Sequence, residues 1–85
     1  MNISVLPQET SSGAKFISPI YMTSGFRLTF GNESSFIVQL TMTEIRKRVC
    51  SNDGADYLQS CIANGIKYWV IDDGNHITFL LPEEY

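Results

Sequence analysis

The stretch from Ile66 to Leu81, IKYWVIDDGNHITFLL, constrains the fold of this chain more than any other part of it. Two apolar runs rich in β-branched and aromatic residues flank Asp73-Gly74, a pair suited to a tight hairpin turn because it tolerates positive φ at both central positions. With Asp73 and Gly74 as a two-residue loop, Val70 stands opposite Ile77, Tyr68 opposite Phe79 and Ile66 opposite Leu81. One face of the hairpin is then wholly apolar and requires a core. The other face carries Lys67, Trp69, Ile71, His76, Thr78 and Leu80, too apolar a mixture for a plain solvated surface. That second face needs a cover or a partner.

A chain of 85 residues has room for one core, so residues 1–85 are read as a single domain. An apolar fraction of 44% with 18% charged residues argues against disorder except toward the termini. Nine acidic against six basic side chains leave a net charge of −3, which repels a phosphate backbone weakly and disfavours nucleic acid as the default partner. The first residues have neither a basic nor an apolar targeting region, and no apolar run is long enough to cross a bilayer. The expected location is therefore cytoplasmic, or the host cytoplasm if a phage encodes the chain. Cys50 and Cys61 form no CxxC pair and suggest neither a disulfide framework nor a zinc site; both are expected as buried free thiols.

Ahead of the hairpin, Ile3 to Leu6 reads as a short edge strand, within a segment 1–14 that is either that strand or mobile. Lys15 to Met22 is apolar but interrupted by Pro19, which confines it to a sheet edge or to an extended cover for the Trp69 face. Phe26, Leu28 and Phe30 alternate with Arg27 and Thr29, and Phe36, Val38 and Leu40 repeat the pattern beyond Gly31-Asn32-Glu33-Ser34. These runs predict a second hairpin. At Thr41 the period lengthens, and Thr41-Met42-Thr43-Glu44 matches a capping box that would start a helix bearing Met42, Ile45 and Val49. After the breaker run Ser51 to Gly54, Asp53 would cap a second helix presenting Ala55, Leu58, Cys61 and Ile62, closed by Asn64-Gly65 as a left-handed C-cap. The alternative over residues 42–63 is one kinked helix. The expected fold is α+β: an antiparallel sheet of two hairpins, in the order β-β-α-α-β-β, with two short helices on one face and a possible extra N-terminal edge strand.

No nucleophile elbow, phosphate loop or metal-binding helix motif occurs, so no catalytic residue, metal or cofactor is assigned. His76 with Asp72 and Asp73 could form an oriented base, but Asp and Asn are also what tight turns require for backbone reasons. Arg46, Lys47 and Arg48 are the one basic cluster and the alternative nucleic-acid contact. Consecutive helical residues fan over roughly 200°, which makes a solvated face the simpler account. Trp69 is the residue type most enriched at interface hot spots. With Ile71, Leu80, Lys67, His76, Asp72 and Asp73 it outlines a candidate surface for a protein partner. The function this implies is a small non-catalytic inhibitor of a host enzyme acting by surface occlusion, of the anti-CRISPR or anti-restriction kind. An immunity protein or antitoxin against a toxic nuclease, or a nucleic-acid-binding regulator, are the other readings. A homodimer through exposed hairpin edges is also allowed.

Overall fold

The C-terminal hairpin forms, with its tip one residue further along than expected. A computed structural model describes residues 2–8, 10–52 and 54–85. Its elements run β1 (Ile3–Val5), β2 (Ile20–Met22), α1 (Ser24–Phe30), a 3-10 turn over Gly31–Glu33, α2 (Ser34–Asn52), β3 (Leu58–Ala63), β4 (Ile66–Asp72), β5 (Ile77–Leu80) and a second 3-10 turn over Pro82–Glu84. The strands make one mixed sheet in the order β1-β3-β4-β5-β2, antiparallel throughout except where β2 runs parallel to β5. Hence this is a small α+β domain with a five-strand mixed sheet and one long helix.

At the β4–β5 tip the Asp73 N–H donates to the His76 carbonyl (3.1 Å), so the two loop residues are Gly74 and Asn75 rather than Asp73 and Gly74. Val70 therefore pairs with Phe79 and Asp72 with Ile77. The slip moves each partner by two positions, which preserves the side-chain alternation, so both faces keep their expected members. The Asp73 carboxylate selects this tip by accepting the Asn75 and His76 N–H groups at 2.8 and 2.7 Å.

The second expected hairpin is absent, and helix takes its place. Phe26 and Phe30 lie four apart, a spacing that serves both a strand face and a helix face, and Leu28 decides between them. A strand would bury Leu28; it is 84% exposed, whereas Phe26 and Phe30 are buried. Thr23 starts α1 by accepting the Phe26 N–H on its hydroxyl (3.2 Å), an N-cap signal that the alternating pattern hid. In α2 the buried positions are Ser34, Ile37, Thr41, Met42 and Ile45, a 3.6-residue stripe that begins about two turns before the expected start at Thr41. Thr41 caps nothing: its hydroxyl donates to the Ile37 carbonyl (2.7 Å), and Glu44 pairs with Lys47.

The expected second helix is also corrected. Leu58–Ala63 is strand, burying Gln59, Cys61 and Ala63 on alternate positions, and Asn64-Gly65 is the tight turn that joins it to β4. Both turn residues have positive φ, 53° and 77°, as the two-residue hairpin turn demands. The left-handed conformation expected at Asn64-Gly65 is present, in a hairpin turn rather than a helix C-cap. The Asp53 cap falls outside the described residues.

The core lies between the helices and one sheet face, where Phe26 meets Tyr68 and Phe79 edge-on with ring centroids 5.5 Å apart in each pair. Phe16 joins the same core from the segment before β2. The N-terminal strand is tied down by Arg48, whose guanidinium donates to the Leu6 carbonyl (3.0 Å) and to Gln59 Oε1. Gln59 is 1% exposed, and its amide N–H donates to Gln8 Oε1 and the Asp56 carbonyl, both at 2.8 Å.

Candidate functional site

The two hairpins β3–β4 and β4–β5 alternate so that the second sheet face is built of Leu58, Ser60 and Ile62 from β3, Lys67, Trp69 and Ile71 from β4, and Thr78 and Leu80 from β5. Neither helix packs there; the helical side chains belong to the core on the opposite face. Across the sheet, Ser60, Trp69 and Leu80 form one row and Leu58, Ile71, Thr78 and Tyr21 the next. Trp69, Ile71, Leu58 and Ile62 are half-buried and Leu80 is buried.

The cover on this face comes from the chain's end rather than from Lys15–Met22. Tyr85 sets its ring edge-on to the Trp69 indole at 5.5 Å. Lys15–Met22 instead supplies Phe16 to the core and β2 to the sheet edge. The turn that carries Tyr85 is latched by Glu84, whose carboxylate accepts the Thr23 hydroxyl (2.6 Å), the Leu81 N–H (2.9 Å) and the Gly25 N–H (3.2 Å). These donors hold the Glu84 carboxyl below its usual pKa, the Thr23 hydroxyl contributing most. A Cβ at Gly25 would stand 2.6 Å from that carboxylate, so a larger residue there would have to push the Glu84 side chain out of this position.

Among the residues singled out from sequence, Trp69, Ile71, Leu80 and Lys67 share the open face. Asp72 lies on the opposite face, 8% exposed, where its carboxylate accepts the Phe16 and Gly74 N–H groups at 3.0 Å each. Asp73 and His76 sit at the hairpin tip with Oδ2 and Nδ1 3.9 Å apart, and the imidazole rests edge-on against Tyr21 with centroids 5.0 Å apart. The tip backbone donors, that of His76 first, lower the Asp73 pKa. Leu58, Ile62, Tyr21 and Tyr85 complete the face and were not singled out. Asn64-Gly65 was the signal for the first two, since reading it as a hairpin turn brings β3 beside β4.

Arg46, Lys47 and Arg48 have separate surroundings. Arg48 is half-buried against β1 and Gln59, and Lys47 pairs with Glu44 (2.9 Å), which leaves Arg46 alone at the surface. The thiols differ as sharply. Cys50 is exposed, on the solvent side near the end of α2, not buried as expected, while burial pushes the Cys61 thiol up to about 12, so Cys61 is a neutral core side chain rather than a nucleophile.

The molecule is thus a helix-backed mixed sheet with one face left open, a geometry for surface contact. Comparison with protein-family models, with curated proteins and with solved structures finds no match for this chain.

Proposed function

We propose that this chain is a non-catalytic protein-binding module, an inhibitor that occludes the surface of a host enzyme of the nuclease-complex kind. The observation that carries the reading is the apolar sheet face that no helix covers, with Trp69 and Ile71 half-buried, Leu80 buried beside them, Tyr85 covering it in part and Lys67 exposed on the same face. Aromatic anchors ringed by aliphatic side chains are what protein interfaces use, and a sheet face offers them on a rigid support.

Affinity capture from the producing cell or its host tests the reading. The wild-type chain retains a defined protein partner, and Trp69→Ala weakens that complex by about 2 kcal/mol or more, the hot-spot threshold. Phe36→Ala, on the exposed side of α2, leaves it unchanged. Failure to recover any partner, or a complex indifferent to Trp69→Ala, removes the open face as the site.

A further inference from the structure

At one edge the sheet ends in β2, and that edge is unusual in what stands beside it. β5 engages β2 through alternate residues: the Ile77 N–H donates to the Pro19 carbonyl (2.8 Å) and the Thr23 N–H to the Phe79 carbonyl (3.0 Å). In a parallel ladder this alternation turns the N–H and C=O groups of Ile20 and Met22 away from the sheet, as a ready template for another strand. Immediately beside that edge an open groove of about 490 Å³ runs between β2 and α1, lined by Met22, Ser24, Arg27, Leu28, Gly31 and Asn32. Leu28 is almost fully exposed on its wall, and Ile20 is exposed on the edge itself. Among the described residues Arg27 is the only charged one lining the groove, and its side chain makes no hydrogen bond or ion pair with any of them.

We propose that the β2 edge and this groove together take an extended segment of a partner protein, added to the sheet as a sixth strand, with an aliphatic side chain on Met22 and Leu28 and a carboxylate on Arg27. Backbone hydrogen bonds supply affinity in such strand addition, and grooves that receive alternate side chains supply selectivity. A guanidinium favours a carboxylate there because it offers paired donors in one plane. A second copy of this chain is the poorer occupant. Its own edge strands, Ile3–Val5 and Ile20–Met22, contain no carboxylate to meet Arg27. The site is separate from the open face around Trp69 and does not depend on that face binding anything.

Panning a random peptide library displayed on phage against the immobilised protein tests this. The expected enrichment is of extended sequences that alternate β-branched or aliphatic residues and carry one Asp or Glu at a fixed offset. Arg27→Glu should turn the acidic preference into a preference for Lys or Arg. Ile20→Pro deletes one outward N–H at an exposed position and should weaken the selected peptides about tenfold, the equivalent of one hydrogen bond. If that variant does not fold, the Arg27→Glu reversal still decides the matter. Trp69→Ala should leave peptide binding untouched, which separates this site from the open face. The proposal is overturned if nothing is enriched or if the enriched peptides ignore Arg27→Glu. It is equally overturned if the edge instead holds a homodimer that Ile20→Pro dissolves.

Discussion

At the level of single residues, the most consequential pair is Thr41 and Tyr68, whose hydroxyls meet at 2.6 Å in the core. Thr41 already donates to the Ile37 carbonyl, so the Tyr68 hydroxyl is the donor in their bond. Removing the acceptor and removing the donor are therefore unequal acts. Thr41→Val strands a buried phenol and should cost ~1–3 kcal/mol in urea unfolding, whereas Tyr68→Phe should cost nearer ~1 kcal/mol and, combined with Thr41→Val, recover part of the loss. Ser60 presents the reverse case, since its hydroxyl is buried without a hydrogen-bond partner among the described residues. Ser60→Ala is expected to unfold at the same or a higher urea concentration, because it deletes an unmet polar group. No sequence pattern discloses either feature: Thr41 looks like a helix cap, and the hydroxyl that makes it structural comes from a residue 27 positions away.

Among the elements, what could be read in advance depended on how many periods fit the same residues. The β4–β5 run alternates too steadily to be helical, so it was legible, and so were the Pro-limited edge strands β1 and β2. Phe26 and Phe30 fit either period, and tertiary burial chose the helix. Leu28→Lys discriminates the two: within the helix it should change stability by less than ~0.5 kcal/mol, while a buried strand position would lose several times that. Ile37→Ala, at a site the alternating reading placed on the outer face, should cost ~2–5 kcal/mol. The candidate face was half legible for the same reason. Its β4 and β5 members come from the readable hairpin, whereas Leu58 and Ile62 came into view only with the Asn64-Gly65 turn. Both substitutions are measured by equilibrium denaturation, with circular dichroism to confirm that the helices persist.

For the molecule as a whole, titration bounds the stable range from both sides. Glu84 and Asp73 have lowered carboxyl pKa values. Their contribution is present above the ordinary carboxylate value near ~4 and is lost as pH falls through the lower folded values. Glu84→Gln should flatten the acid side of a plot of Tm against pH. Cys61 acts at the other end: its pKa is raised from 9.0 to about 12, so the folded state holds a proton that the unfolded state releases. Stability should fall as pH rises from 9.0 toward 12, and Cys61→Ala should remove part of that slope. A thiol reagent at neutral pH should label Cys50 at once and Cys61 only on unfolding. The single tryptophan adds an optical consequence. Because Trp69 stands half-covered on the open face with Tyr85 against it, intrinsic fluorescence in this protein is a local reporter of that face. An occupant there should shift the emission to shorter wavelength, while a strand added at the β2 edge, two strands away from β4, should shift it far less.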